Sequence, residues 1–257
     1  MNAIVCSLKD PAGMNIFRFL TETEFQPSDF KWEGLTVYEN KHDWLLVRTE
    51  KELVYADNLN DLDVERIVFA SKHSAASGKP TLTVHVNGNF GPADYGGQPA
   101  ELAVADAFME LNLFLQLSKN PPKEYEVSLE ATHHGPSLEI LSCWIELGST
   151  PEQWKDEKAA EYLAEAILEG IRSKEKAPAA IGIGGGHYCP KLTQYEGEYA
   201  FGHICPKYAI DYLNNEISRQ MVEKTVPKPE YLVLDKKGVK QKTRILSLFK
   251  DIEVVTI

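Results

Sequence analysis

The chain has 257 residues, of which 43% are hydrophobic and 25% are charged. This is the composition of an ordinary globular protein, and it excludes a disordered chain, a collagen-like repeat and a coiled coil. The length suffices for a sizeable core, so we expect a single domain over residues 1–257. The formal net charge of −11 argues against a general nucleic-acid binder, which usually has a basic excess.

The first residues contain no basic region followed by a long apolar stretch, so no signal peptide is expected. No window reaches the roughly 18 apolar residues that are needed to span a bilayer. We therefore expect a cytoplasmic protein. Its four scattered cysteines are too few for a disulfide framework and are expected to be reduced thiols.

Short apolar runs rich in β-branched residues alternate with helical patterns, which predicts an α/β fold. Several runs are apolar almost throughout, as is typical of strands covered on both faces. The predicted strands are residues 3–8, 44–48, 66–70, 81–86, 126–132, 143–147, 179–183, 231–234 and 252–255.

Three helices are predicted from the spacing of apolar residues. The segment 99–117 is apolar nearly all round, which indicates a deeply packed helix. The segment 151–172 is amphipathic, and Thr150 with Gln153 forms a capping-box pattern at its start. A third helix is predicted over 207–222.

Glycine and histidine recur together at five predicted strand ends, the usual place for the site of an α/β protein. If these segments converge, most of the seven histidines share one cleft. The alternative is that each is a separate turn whose histidine bonds nearby backbone. We favour convergence because such strand ends rarely recur without a site. The segments are residues 71–74, 85–91 with 96–97, 130–136, 182–188 and 201–203.

The run Gly184-Gly185-Gly186 resembles a phosphate cradle, in which backbone N–H groups point at an anion. However, no Walker lysine follows, and His187 replaces the third glycine of a dinucleotide fingerprint. The run therefore predicts a close approach of backbone to some ligand.

Two His-x-Cys units, at His187 and His203, offer an alternative zinc site with two histidines and two thiolates. A catalytic metal held by histidines, with an open position for water, is favoured. His133 and His134 are adjacent, and on a strand only one of them is expected to point into the cleft. The nearby carboxylates that can orient a histidine or accept a proton are Glu130, Glu139 and Glu146.

Taken as a set and in this order, the motifs resemble the archaeal and plant type of D-aminoacyl-tRNA deacylase over nearly the whole chain. The motifs are His85-Val86-Asn87-Gly88-Asn89, residues 129–136, residues 144–149, Gly184-Gly185-Gly186-His187-Tyr188 and Phe201-Gly202-His203. The resemblance implies hydrolysis of the ester between a D-amino acid and the 3′ end of tRNA. It also implies zinc, and a mixed sheet flanked by helices, similar to phosphorylases and peptidyl-tRNA hydrolases.

An aminoacyl ester is already activated, so its hydrolysis needs an oriented water, a base and oxyanion stabilisation. The residues expected to be catalytic are His133, His134, His187 and Glu130. The residues expected to bind substrate, through phosphate, ribose, amino group or oxyanion, are Lys72, Asn87, Asn89, Gly184, Gly185 and Gly186. The expected zinc ligands are His85, His187 and His203.

Two other functions remain open from the sequence. One is a nucleoside- or nucleotide-processing enzyme of phosphorylase-like fold, and the other is a non-catalytic RNA- or zinc-binding protein. No stable protein partner is inferred, and a monomer is expected.

The charge is unevenly distributed. Residues 224–250 carry eight basic and two acidic residues, whereas the first 223 residues carry a net charge of −15. The basic segment is expected to contact tRNA phosphates and to make binding salt-dependent. The alternative is a solvated hairpin with no partner.

Overall fold

The computed structural model describes residues 1–237 and 239–257, which form two β-sheets with helices packed against them. The strands are β1 Asn2–Ser7, β2 Gln26–Trp32, β3 Leu35–Glu39, β4 Trp44–Thr49, β5 Arg66–Lys72, β6 Thr81–His85, β7 Val104–Asp106, β8 Glu126–Leu129, β9 Leu141–Gly148, β10 Ala179–Ile183, β11 Ala200–Cys205, β12 Thr225–Val226, β13 Tyr231–Leu234 and β14 Glu253–Thr256. The α-helices are α1 Pro11–Thr23, α2 Ala107–Leu117, α3 Pro151–Trp154, α4 Glu157–Arg172, α5 Pro190–Thr193, α6 Asn215–Glu223 and α7 Lys242–Ser247, and 3₁₀ helices cover Leu53–Tyr55, Asp57–Asp61 and Lys207–Tyr212.

The larger sheet is mixed. Strands β9, β5, β1 and β4 run parallel at its centre, whereas β6 joins β9, and β3 joins β4, in antiparallel pairs. The smaller sheet has four parallel strands in the order β11-β10-β13-β14. The predicted mixed sheet flanked by helices is therefore confirmed.

Helix α2 joins the two sheets, because it contacts β6 of the larger sheet and β11 of the smaller one, as well as α4. Most of its side chains are buried, including Leu111, Leu113 and Leu117. Each such leucine stabilises the fold by about 1.5–3 kcal/mol. The deeply packed helix that its composition predicts is confirmed.

The predicted helix boundaries were wrong where a polar residue caps a later start. Helix α2 begins at Ala107 because the Asp106 carboxylate accepts a hydrogen bond from the Met109 N–H, while residues 104–106 form β7. The segment 151–172 divides into α3 and α4 because Asp156 caps α4, although the Thr150 capping box forms as predicted. The segment 207–222 likewise divides, and Asn214 caps α6. No helix in the described part of the chain is long and apolar enough to cross a membrane.

All nine predicted strands overlap observed ones, but β2, β3, β7, β11 and β12 were not predicted. Strand β2 is polar and largely exposed at the sheet edge, so it lacks an apolar run. Strand β11 contains Gly202, which weakens a strand pattern. A Cβ atom at Gly202 would collide with the Thr225 side chain, so β11 needs glycine to pack against the start of β12.

Candidate active site

A cavity of about 740 Å³ lies where the loops that follow β1, β5, β6, β8, β10 and β11 meet. Four histidines line it, namely His73, His133, His134 and His187. His85 is fully buried beside them, with its ring centroid 4.5 Å from that of His133. Five of the seven histidines therefore lie together, and the predicted convergence is confirmed for four of the five segments. The segment 201–203 does not line the cavity.

Glu130 lies at the centre of the histidines and is almost completely buried. One oxygen, Oε1, lies 3.1 Å from Nδ1 of His73. The other, Oε2, lies 3.0 Å from Nε2 of His187 and 3.6 Å from Nε2 of His133. Its position is fixed by the backbone, because the Glu130 N–H donates to the Val84 carbonyl on strand β6. The carboxylate therefore contacts three of the rings at once.

A second buried carboxylate, Glu146 on β9, faces the same nitrogen of His73 as Glu130 does. Its Oε2 atom lies 3.4 Å from Nδ1 of His73 and 3.4 Å from Nε2 of His85. Its Oε1 atom accepts a hydrogen bond from the Ser71 hydroxyl. The pairing of β5 with β9 brings Ser71 and Glu146 opposite each other, so the sheet register itself builds this part of the site.

The rings of His133 and His134 lie on the same side of the chain, with centroids 4.3 Å apart. The expectation that only one points into the cleft was wrong, because β8 ends at Leu129 and His134 has a left-handed backbone with φ of 45°. Each ring donates from Nδ1 to a backbone carbonyl, of Ala131 at 2.7 Å and of Gly135 at 2.6 Å. The Nε2 atoms of both rings are then lone-pair acceptors.

The titratable side chains of the cluster include a charged set and a neutral set. Burial opposes protonation of His73, but its hydrogen bond to Glu146 and the charges of Glu130 and Glu146 outweigh burial and raise its pKa to about 10. Burial opposes ionisation of Glu146, but its contacts with His73 and His85 and their charges outweigh burial and hold the Glu146 pKa well below its usual range. Burial and neighbouring histidines lower the pKa of His133, and burial and His85 lower that of His134 to about 4. His133 and His134 are thus neutral at pH 7, the form that binds metals.

The cluster has the donor set and the unpaired atoms of a metal site. Nε2 of His85 is buried and has no hydrogen-bond partner among the described residues. The Glu130 oxygens are also buried, and their contacts with the histidine nitrogens lack hydrogen-bond geometry. Unpaired buried polar atoms are costly, so a group that binds them is expected. Three sets of side chains place one ligand atom each within 4.8 Å of one another, namely His85 with His133 and His134, His73 with Glu130 and His187, and His85 with Glu130 and Glu146.

Asn87 was expected to bind substrate, but the structure contradicts this. Its side chain is fully buried and donates to the Pro136 carbonyl. Its Oδ1 atom accepts from the Ser142 hydroxyl and from the Trp144 indole N–H. These groups occupy Oδ1 and one N–H of the amide, so Asn87 anchors the His133–His134 loop to β9. Its side chain does not line the cavity.

The glycine run was expected to present three N–H groups to an oxyanion or phosphate. The Gly184 N–H donates to the Cys205 carbonyl at 2.9 Å, and the Gly186 N–H donates to the Tyr188 carbonyl at 3.1 Å. Two of the three donors are therefore already used, and the cradle that the sequence predicted is contradicted. The run instead makes the turn that brings His187 to Glu130.

His203 was expected to be a zinc ligand, and the geometry contradicts this role. Its Nε2 atom lies 3.0 Å from the Ala103 carbonyl and its Nδ1 atom lies 3.3 Å from the Thr132 hydroxyl. Burial lowers its pKa to about 3, so the ring is neutral and both nitrogens have protein partners. The sets of potential ligands found among residues 1–237 and 239–257 do not include it.

Two other predicted binding residues do line the cavity. Lys72 ends β5 at the cavity wall, and its Nζ atom lies 5.2 Å from the ring centroid of Trp154. Asn89 is buried, and its Nδ2 group donates to the carbonyls of Gly96 and Gln98. Lys72 is therefore available to a ligand, whereas the amide N–H groups of Asn89 hold the loop that borders the cavity.

Sequence reasoning left three residues out of the expected site. His73 and Tyr188 lie inside segments that the sequence analysis identified, and Glu146 was considered as a carboxylate that orients a histidine or accepts a proton. In the structure, the Tyr188 hydroxyl lies 2.9 Å from Nε2 of His73. These three residues stand beside a glycine or at a strand end within the motifs named in the sequence analysis. That position was the sequence signal for them.

The alternative zinc site with two thiols is not formed. Cys189 and Cys205 are buried, and burial raises the pKa of each thiol. His187 points to Glu130, whereas His203 contacts Ala103. The histidines of the two His-x-Cys units therefore contact different parts of the structure.

Comparison with known proteins identifies the family of the chain. Residues 60–256 match a family model described as D-aminoacyl-tRNA deacylase. The chain is 40% identical to a D-aminoacyl-tRNA deacylase of Pyrococcus furiosus over 96% of this chain and 95% of that protein. It is 37% identical to that of Archaeoglobus fulgidus over 93% and 88%.

One solved structure has the same fold over the whole chain. A conserved protein of unknown function superposes with a TM-score of 0.89 at 35% identity, over 100% of this chain and 95% of that one. A putative methylthioadenosine nucleosidase from Weissella paramesenteroides matches 67% of this chain at 9% identity, with a TM-score of 0.44. The family model and the archaeal relatives span most of the sequence, and the chain belongs to the D-aminoacyl-tRNA deacylase family.

Proposed function

We propose that this protein hydrolyses the ester bond of D-aminoacyl-tRNA and releases free D-amino acid and tRNA. The observation that carries the proposal is the buried Glu130 carboxylate, in contact with three histidines at the wall of a cavity of about 740 Å³. The family relatives bear the name of this activity. An ester hydrolase needs a general base next to a cavity that admits the substrate. The histidine cluster and the adjoining cavity provide these two features.

His187 serves as the base in this proposal. Its Nε2 atom faces Glu130, and 36% of its side chain is exposed to solvent. With the proton on Nε2, next to the carboxylate, Nδ1 is the acceptor for a proton of the attacking water. The negative charge of Glu130 then stabilises the imidazolium, which returns the proton to the leaving ribose oxygen.

Zinc is proposed as the cofactor because the unpaired buried atoms fit it. His85, His133 and His134 would hold it through ring nitrogens, with Glu130 and Glu146 beside them. A zinc ion there would lower the pKa of a water molecule and polarise the ester carbonyl. The neutral state of His133 and His134 suits this role, since a protonated imidazole cannot ligate a metal.

The basic segment is proposed to contact tRNA phosphates. Lys236, Lys237, Lys240 and Lys242 are all exposed. The segment is not the solvated hairpin considered from the sequence, because β13 and β14 are parallel and α7 lies in the crossover between them. Strands β10, β11 and β13 run parallel, so their following loops, including this segment and the loop of His187, leave the same edge of the sheet.

The remaining expectations belong to the same proposal. Lys72 is proposed to meet a phosphate of the tRNA end at the cavity wall. The protein is proposed to act in the cytoplasm and as a monomer.

The decisive experiment is incubation of purified protein with matched D- and L-aminoacyl-tRNA, with and without a chelator. We expect loss of the D-ester alone, and expect the chelator to abolish it. Equal loss of both esters, or of neither, rejects the proposal. Phosphate-dependent cleavage of nucleosides by the same preparation would favour the nucleoside-processing alternative.

A further inference from the structure

Three exposed tyrosines line the same cavity as the histidine cluster. Tyr95, Tyr208 and Tyr212 have exposed fractions of 71%, 60% and 47%. Exposed large apolar residues that gather at one site usually mark an interaction surface. Their hydroxyl groups make no hydrogen bond with any described residue, so no intramolecular bond explains their placement.

The backbone that carries Tyr208 and Tyr212 is held in place. Both belong to the 3₁₀ helix Lys207–Tyr212 that follows β11, whose Ala209 and Ile210 are buried. The Arg244 guanidinium donates to the carbonyls of Ile210 at 2.8 Å and Leu213 at 2.7 Å. The two tyrosines are therefore presented from a fixed support, which lowers the entropy cost of binding through them.

The Tyr212 ring also lies against the backbone of Gly91, which lines the same cavity. A Cβ atom at Gly91 would lie 2.7 Å from Cζ of the Tyr212 ring. Any residue other than glycine would therefore push the ring away. The close approach keeps the ring at the cavity wall, within the group of residues that also contains His187.

We infer that Tyr95, Tyr208 and Tyr212 stack on the unpaired nucleotides at the 3′ end of tRNA and so guide the ester to the histidine cluster. This inference rests on the proposed function. Single-stranded nucleotides are recognised by aromatic side chains that stack on the bases, with little dependence on sequence. A tRNA ends in such an unpaired strand, and every tRNA has to be accepted.

The position of the basic segment agrees with this path. Gln241 donates to the Asp211 carboxylate at 3.1 Å, and Arg244 bonds the same 3₁₀ helix. The exposed lysines on either side of Gln241 therefore adjoin the helix that carries two of the tyrosines. A strand whose bases stack on the tyrosines can have its phosphates near Lys240 and Lys242.

The test measures RNA affinity and catalysis in tyrosine variants. Tyr208→Ala and Tyr212→Ala are compared with Tyr208→Phe and Tyr212→Phe, which keep the ring. The control is Phe30→Ala, an exposed aromatic residue on the edge strand β2 that does not line the cavity. Affinity is measured by fluorescence anisotropy with a short single-stranded RNA ending in CCA, and kcat and KM with D-aminoacyl-tRNA.

We expect each alanine variant to weaken RNA binding and raise KM by about 5- to 150-fold, the range for removal of one stacking side chain. The value of kcat should stay near wild type, and the phenylalanine and Phe30→Ala variants should bind as wild type does. Unchanged RNA affinity in both alanine variants overturns the inference. The tyrosines would then be interpreted as a surface that binds a protein partner.

Failure of the stacking inference can be distinguished from failure of the proposed function. If wild-type protein hydrolyses D-aminoacyl-tRNA but the alanine variants are unaffected, only the stacking is wrong. If wild-type protein hydrolyses neither ester yet loses RNA affinity in the alanine variants, the stacking stands and the proposed function is wrong. Thermal unfolding of each variant shows that the fold is retained.

Discussion

The Nε2 atom of His187 lies 3.0 Å from the Oε2 atom of Glu130, although 57 residues separate them in the chain. The contact joins the two sheets, because Glu130 follows β8 of the larger sheet and His187 follows β10 of the smaller one. It is supported by backbone, since the Ala131 N–H donates to the His187 carbonyl at 2.9 Å. The proposed base and its orienting carboxylate thus depend on the packing of both sheets.

Replacing Glu130 by glutamine should lower kcat by about 100-fold or more, because the amide cannot stabilise a developing imidazolium. Zinc affinity should fall by about 10- to 100-fold, as is typical when a carboxylate next to metal ligands is removed. Steady-state kinetics and metal analysis of the purified variant measure both effects. The control is Glu139→Gln, an exposed carboxylate nine residues further on, which should behave as wild type. Normal turnover in Glu130→Gln would remove the carboxylate from the mechanism.

Replacing His187 by alanine should reduce kcat by about 10²- to 10⁴-fold, the usual contribution of a general base. The side chain is partly exposed and its backbone bonds remain, so the melting temperature should hardly change. Single-turnover kinetics at saturating substrate separate this effect from weaker binding. His42→Ala, at an exposed histidine near Glu24, serves as the control. Turnover near the wild-type value would exclude His187 as the base.

Zinc content should distinguish His85 from His203. The His85→Ala variant should lose zinc, because Nε2 of His85 has no protein hydrogen bond among the described residues and lies with His133 and His134. The His203→Gln variant should be less stable but should keep its zinc, because both nitrogens of His203 have protein partners. Metal analysis of the folded fraction reports the ratio of zinc to protein. Loss of zinc in both variants would restore His203 as a ligand.

Much of this site could be predicted because histidines beside glycines at strand ends are a local signal. The sequence pattern located the segments of His85, His133 and His187, and the structure brings them together. It could not show that the Asn87 amide bonds Pro136 and Trp144, since those partners come from distant parts of the chain. It also could not show which glycine N–H groups are used by other carbonyls.

Prediction of the fold was limited in the same way, because the sequence pattern does not show contacts between distant parts of the chain. Apolar runs revealed the buried strands, whereas β2 was missed because an edge strand needs no apolar pattern. The continuous helical pattern of residues 151–172 hid a break, because Asp156 caps a new helix only through its own bonds to Lys158 and Ala159. Caps and edges depend on specific hydrogen bonds and on tertiary contacts, which periodicity does not contain.

Stability should depend on pH through a buried carboxyl pair outside the active site. Glu110 on α2 is fully buried with both oxygens unpaired among the described residues, and burial and the charge of Glu196 raise its pKa well above its ordinary value. The folded protein then binds a proton that the unfolded chain lacks, so the free energy of unfolding falls as pH rises from about 4.5 towards the raised pKa. The slope is about 1.4 kcal/mol per pH unit for one such group.

The Glu110→Gln variant should lack this loss. Its free energy of unfolding, relative to wild type, should increase with pH, because glutamine needs no proton to be neutral. Urea unfolding at several pH values from 5 to 8 measures the difference, and Glu165→Gln at an exposed position on α4 is the control. A constant difference between variant and wild type over this range would show that Glu110 does not titrate with folding.

Neutralising the basic segment should weaken tRNA binding and flatten its dependence on salt. The change is Lys236, Lys237, Lys240 and Lys242 to glutamine together; all four are exposed, so the fold should be retained. Each lysine that binds a phosphate contributes about one unit to the slope of log affinity against log salt, so the slope should fall by about one unit for every such lysine replaced. Turnover of bound substrate should persist, because the lysines lie outside the histidine cluster.

The control for this variant replaces three exposed lysines elsewhere, Lys31, Lys41 and Lys123, by glutamine. It removes a similar amount of positive charge, so it tests whether the position of the lysines matters or only the net charge of the protein. Because these three lie far from the segment in sequence and none lines the cavity, the salt slope should keep its wild-type value. If the four-lysine variant also keeps the wild-type affinity and slope, the segment does not bind tRNA, and Lys72 at the cavity wall becomes the first candidate for the phosphate contact.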